Sequence, residues 1–166
     1  DRLRSRGLGD VYKRQNMNCE DMVKIPELEN VLLLRAGAGG MKNIVRWIYF
    51  ADCLQCVQSE YKVEDYIHGG EFVILTNRSV TDNKDTLIGL IGKMLAHGIS
   101  ALGINEGQIS DELIQYADEN DLSLFELPEK YPLIDLSQIL CNKLVLEENN
   151  KNLEEQLLFQ FWIQNI

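Results

Sequence analysis

The sequence predicts an α/β fold: a mainly parallel sheet with flanking helices, followed by a C-terminal connector helix with coiled-coil spacing. Two observations carry this. Between Glu71 and Pro128 three short apolar runs, Phe72–Leu75, Ile99–Ile104 and Leu122–Phe125, alternate with two stretches of helical period. Strand–helix–strand order of this kind implies right-handed crossovers and parallel pairing. Beyond Asp135 the period changes, and Ile139, Lys143, Leu146, Asn150, Leu153 and Leu157 follow the 4-3-4 spacing of a coiled-coil seam, in which one polar Asn can set register and dimeric state; a helix packed on its own sheet is the other reading of this spacing.

In chain order, Asp1 to Gln15 carries five basic residues against two acidic ones. A segment so poor in apolar surface cannot offset its ordering entropy, so residues 1–15 are set aside as a non-native or disordered tail. The run Gly7–Gln15 is also similar to a translated sequencing-adapter stretch. The α/β domain is expected over residues 16–134. Cys19–Ile25 reads as a short helix halted by Pro26, Val31–Leu34 as a compact strand, and Gly37, Gly39 and Gly40 as a tight turn. Ile44–Phe50 is apolar on both faces, which predicts a strand buried between layers, with Arg46 as its polar exception.

A helix is predicted over about 83–97, with Thr81 or Asp82 as N-cap and Gly98 as the stop. Another opens at Ser110 with Asp111 and Glu112 in its first turn and closes near Asn120. Residues 135–166 form the connector. Leu153, Leu157, Leu158, Phe161 and Trp162 keep it apolar to the last turn with no cap, as expected of a fragment cut before the rest of a longer protein.

The chain of 166 residues carries a net charge of −10, which argues against the basic footprint of a nucleic-acid binder, so no direct nucleic-acid contact is expected from it. No apolar run approaches the ~20 residues of a bilayer helix, and no basic-then-apolar leader opens the chain, so no membrane partner and a cytoplasmic location are expected. Four cysteines are too sparse for a disulfide scaffold and suit a reducing compartment.

Chemistry-bearing motifs are few. Cys53-Leu54-Gln55-Cys56 is a lone CxxC without the second ligand pair of a structural zinc, no Walker or Rossmann glycine pattern occurs, and no nucleophile signature appears. The expectation is therefore a non-enzymatic protein without metal or cofactor. His97 falls at a helix end, whereas His68 precedes the Gly69-Gly70-Glu71 turn into a strand. Ligands of open α/β sheets sit outside the carboxyl ends of strands. The predicted runs end there on Thr76-Asn77-Arg78, Asn105-Glu106 and Glu126, groups that orient a small polar ligand. The candidate ligand-binding residues are Arg46, Glu71, Thr76, Asn77, Asn105 and Glu126. For Arg46, a structural ion pair with Glu71 or Asp52 is the competing role.

The residues Asn43-Ile44-Val45-Arg46-Trp47, then Gly69-Gly70-Glu71-Phe72-Val73-Ile74-Leu75-Thr76, then Gly98-Ile99-Ser100-Ala101-Leu102-Gly103-Ile104 resemble the N-terminal sensory domain of purine-catabolism-regulator (PucR-type) transcription factors. The likeness runs from about Met17 to Leu146, and the family's Gly after the strand threonine is Asn77 here. The resemblance implies a domain that senses a metabolite of purine or other nitrogen catabolism, with DNA bound by a helix-turn-helix missing from this chain; a homodimer is expected through or near the helix after Asp135. The alternative is a ligand-free dimerisation or protein-interaction module.

Overall fold

The computed structural model describes residues 17–51 and 62–164, with backbone alone for 146–155 and 164. The basic tail, Asp52 and the Cys53–Cys56 motif lie outside the described residues. Five strands form one sheet: β1 (Leu33–Ala36), β2 (Trp47–Phe50), β3 (Glu71–Leu75), β4 (Ala101–Asn105) and β5 (Ser123–Leu127), in the order β1-β5-β4-β3-β2. Pairing is parallel from β2 through β5, and β1 joins β5 antiparallel, with an irregularity between Leu34 and Ala36. The mainly parallel α/β class predicted from the alternating runs is the class observed.

The helices are α1 (Cys19–Val23), α2 (Arg78–Thr81), α3 (Lys84–Ala96), α4 (Asp111–Glu119) and α5 (Leu133–Gln164). Each has a local cause. Asn18 caps α1 through a reciprocal box with Asp21, and Pro26 then turns the chain into a single 3₁₀ turn. The Ser110 hydroxyl accepts the Leu113 N–H at the start of α4, and Gly98, at φ +91°, ends the helix before it with a backbone that a side chain resists. The cap predicted at Thr81 or Asp82 falls elsewhere: Asn77 caps the separate one-turn helix α2, and α3 starts after Asn83.

Because β2, β3, β4 and β5 follow one another across the sheet without reversal, right-handed crossovers put α3 and α4 on the same face. Their Leu87, Leu90, Ile91, Met94, Leu113 and Ala117 pack on Val73, Leu75, Leu102, Ile104 and Leu124. The opposite face, with Phe72, Ile74, Ala101, Phe125 and Leu127, is covered by Cys19, Met22 and Leu28 and by Leu136 and Leu140 of α5. Phe72 and Phe125 meet edge-on, with centroids 5.9 Å apart. All five residues of β3 are buried, as a central strand between two helical layers requires.

β2 departs from expectation. It is shorter than the predicted Ile44–Phe50 run and lies at the sheet's edge, with Trp47 58% and Phe50 38% exposed, so it is not the strand buried between layers. A two-sided apolar pattern does not separate a central strand from an edge strand whose outer residues stay wet. The Gly37 turn packs closely: Gly37 is left-handed at φ +73°, and a Cβ on it would fall 1.9 Å from the Leu122 carbonyl oxygen. Among the described residues no helix is long and apolar enough to cross a membrane.

Candidate functional site

The structure divides the six predicted site residues between two edges of the sheet. Thr76 and Asn77 follow β3, and the register that pairs Leu75 with Ile104 sets Thr76 beside Asn105 at the carboxyl end of β4. Glu126 lies one residue lower, level with Ile104. Arg46 and Glu71 are at the opposite, amino-terminal edge, where Trp47 pairs with Glu71.

Glu71 has a structural task there. It is buried, and its two carboxylate oxygens accept the backbone N–H groups of His68 at 2.7 Å and Gly69 at 2.9 Å, which closes the glycine turn into β3. Arg46 is exposed; its N–H donates to the Gly70 carbonyl at 2.7 Å, and its aliphatic stem lies over Gly70. Among the described residues Arg46 forms no ion pair, so the bridge to Glu71 weighed from sequence is not made. Among the described residues His97 makes a local contact, its Nδ1 donating to the Lys93 carbonyl oxygen at 2.9 Å.

At the carboxyl edge a hydrogen-bond network ties the loop after β3 to the loop after β4. The Asn77 side chain accepts the Ser79 N–H, the Thr81 hydroxyl donates to Gln108 Oε1 at 2.7 Å, and Gln108 Nε2 donates to the Thr76 carbonyl at 3.1 Å. Thr81 is buried. The Glu129 N–H donates to Glu106 Oε1 at 2.9 Å, which joins the segment after β5 to the same edge. Three consecutive parallel strands thus have their exit loops cross-linked by side chains.

Gln108 is the residue that sequence reading missed. Its primary amide offers a donor and an acceptor at once, which a loop-to-loop clamp needs, and its place three residues after Asn105, in a turn through Gly107, was the available signal. Beside this network, Arg78, Ser79, Asp82, Asn83, Lys84 and Asp85 line an open depression of about 660 Å³. Lys84 also pairs with Glu112 at 3.7 Å. Hydrogen bonding to the backbone at the start of α4, with the Lys84 charge adding to it, holds the Glu112 carboxyl below the usual carboxylate range.

Asn105 and Glu126 do not line that depression. By strand alternation Asn105 shares a face with Ala101, on the side of α5, whereas Glu126 shares one with Leu124, on the side of α3 and α4. Glu126 is instead paired with Arg35 on β1 at 2.6 Å. Since the parallel strands advance in one direction, no switch point opens a crevice between helices on opposite faces, and the edge recess forms beside the start of α3 instead. No group of three or more His, Cys, Asp or Glu arranged to hold a metal occurs among the described residues.

Residues 21–144 match the model of the purine catabolism regulatory protein-like (PucR) family. The chain belongs to this family. It is also 32% identical over 124 residues to the purine catabolism regulatory protein of Bacillus subtilis strain 168, which covers 72% of this chain but 22% of that protein. This PucR-family chain therefore spans less than a quarter of the curated relative it matches. A solved structure, the CBS and DRTGG domains of the regulatory region of a Clostridium perfringens pyrophosphatase with its activator diadenosine tetraphosphate, superposes with a TM-score of 0.48 at 14% identity, over 75% of this chain and 50% of that one. A superposition this loose says nothing of a shared ligand. The matched PucR segment runs from α1 to Leu144, the last of the described α5 residues that pack against the sheet's core. The family and the relative are regulatory proteins, and this chain is a domain of that regulatory family.

Proposed function

We propose that this PucR-family domain is the non-enzymatic, metabolite-sensing part of a cytoplasmic transcriptional regulator of purine or other nitrogen catabolism, with DNA bound by a segment outside this chain. The observation that carries the reading is the depression at the carboxyl edge of β3, where Arg78 and Lys84 supply cationic donors, Asp82 and Asp85 carboxylate acceptors, and Ser79 and Asn83 neutral polar groups. Oxidised purines and their ring-opened products carry carbonyls, ring N–H groups and acidic protons, which such a mixed set suits. Of the residues chosen from sequence, Thr76 and Asn77 belong to the loops that shape this recess. Asn105 and Glu126 lie at the carboxyl ends of β4 and β5 outside it, Glu126 paired with Arg35, while Arg46 and Glu71 are at the opposite end of the sheet. The domains follow: residues 1–15 a tail, 16–134 the sensory domain, and the helix beyond it a connector through which two copies associate. Ligand occupancy acts downstream only as far as it favours one arrangement of that helix over another.

The second reading, a ligand-free dimerisation module, is favoured by the missing switch point. A thermal-shift screen of the full chain with xanthine, hypoxanthine, urate and allantoin separates the two. A ligand at about 100 times its Kd adds about 2.7 kcal/mol to stability, and Arg78→Ala should abolish that gain. A melting temperature unmoved by every compound favours the module and overturns the sensor.

A further inference from the structure

The turn that leaves β4 lies at the centre of the carboxyl edge and is tied to both of its neighbours. The Gln108 N–H donates to the Asn105 carbonyl at 3.2 Å, and Gly107 takes the third position at φ +80°, a backbone that glycine adopts without strain. On the β3 side the Gln108 amide bridges the two ends of α2. Its Nε2 donates to the carbonyl of Thr76, ahead of the helix, and its Oε1 accepts from the hydroxyl of Thr81, the last helical residue. A helix of one turn has little stability of its own, so this bridge holds in place the segment whose Arg78 and Ser79 line the depression. On the β5 side the Glu106 N–H donates to the Leu127 carbonyl at 2.8 Å, and Glu106 Oε1 accepts the Glu129 N–H. Glu129 lies on the approach to α5, where Tyr131 and Leu133 pack against the same core as Leu136 and Leu140.

We infer that the Asn105–Gln108 turn couples the depression to the base of α5, with Gln108 as the positioning residue. The inference rests on the depression being the sensory site and names the route by which its occupancy reaches the helix. A tight turn closed by its own hydrogen bond has no slack, so a displacement of Gln108 displaces Glu106. Arg78 supplies the link to a ligand. Its Nη2 stands 3.7 Å from where a Cβ on Gly107 would lie, so the guanidinium rests beside the turn while its residue lines the depression. A ligand that draws Arg78 toward itself takes that contact away from the clamped turn, which is the differential interaction a population shift requires. The other link between the two helical units, Lys84 with Glu112, is 60% exposed at both side chains and too well solvated to carry much.

The test uses the full chain, free of ligand and isotope-labelled, and follows amide exchange by NMR. Thr81→Val and Gln108→Ala should each speed exchange at the Glu129 N–H by roughly two- to tenfold, the worth of one net hydrogen bond. Neither side chain is hydrogen-bonded to Glu129, so a purely local role would leave that amide unmoved. Amides of β4, which exchange only when the whole fold opens, should not change by that factor. Glu106→Ala should also speed exchange at Glu129, and adding Thr81→Val to it should then have no further effect there, since the route is already cut. Glu106→Gln, which keeps an acceptor oxygen, should retain both the protection and the response to Thr81→Val. A Glu129 amide that ignores both Thr81→Val and Gln108→Ala overturns the inference. So does an equal acceleration in β4, which makes Gln108 a support of the fold as a whole. Either failure leaves the depression and its ligand screen standing, whereas a failed screen beside these couplings removes the sensor and not the coupling.

Discussion

Two residues show how tightly this fold specifies single positions. A methyl group on Gly37 would collide with the Leu122 carbonyl 1.9 Å away while its backbone holds φ at +73°. Gly37→Ala combines a backbone clash with left-handed strain and should cost about 3 kcal/mol, read as a lower urea midpoint at unchanged slope. At Cys19 the argument concerns protons. Burial pushes its thiol from near 9 up to about 12, against a smaller opposing effect of the Ser123 hydrogen bond. Below pH 9 the thiol is protonated in both folded and unfolded chains, so it adds no pH dependence. Above that the unfolded chain releases its proton first, and stability falls as pH rises through the 9-to-12 window, by at most about 1.4 kcal/mol per pH unit. Cys19→Ala should flatten that slope in pH-dependent urea unfolding. Neither position was legible as such in the sequence: Gly37 read as a turn, but the partner it touches lies 85 residues on, and Cys19 looked like any other free thiol.

Individual elements were legible where local chemistry decides them. Ser110 as a cap and Gly98 as a stop are signals written within four residues, and both are where the sequence places them. β2 was misjudged because burial of a strand depends on its neighbours in the sheet, and edge or centre is decided by chain topology. Which of the chosen residues come together at the recess is decided in the same way. Polar residues at strand ends are visible in sequence, but which face each takes, and whether helices diverge around them, follows from register and crossover direction. Within α3 the two glycines differ in a testable way. A Cβ on Gly89 meets nothing within 4 Å, whereas one on Gly92 comes within 3.1 Å of the Tyr116 hydroxyl. Gly89→Ala should therefore stabilise the protein by roughly 0.5–1 kcal/mol, through helix propensity and a less flexible unfolded chain. The Gly92→Ala gain should be smaller or absent. Thermal unfolding of the pair checks the contrast, and equal gains would mean that Tyr116 is free to move aside.

On the scale of the whole molecule, α5 does two jobs with one helix. Leu136 and Leu140 close the core on one face of the sheet, so the helix cannot be detached from the domain at its start, although the change of period at Asp135 suggests a boundary there. Past Val145 it continues to Gln164, with Leu157, Phe159, Phe161, Trp162 and Ile163 exposed. A helix with so much apolar surface is held by what covers it more than by its own propensity. Ending the chain at Leu146 keeps every described α5 residue that packs on the sheet and removes the aromatic segment. The α/β unit should then keep a cooperative unfolding transition, while self-association falls to monomer, as seen by sedimentation beside the full chain. If the shortened chain instead loses cooperative unfolding, the terminal turns of α5 contribute to the domain's own core, and the division between a sheet-packing half and an associating half fails.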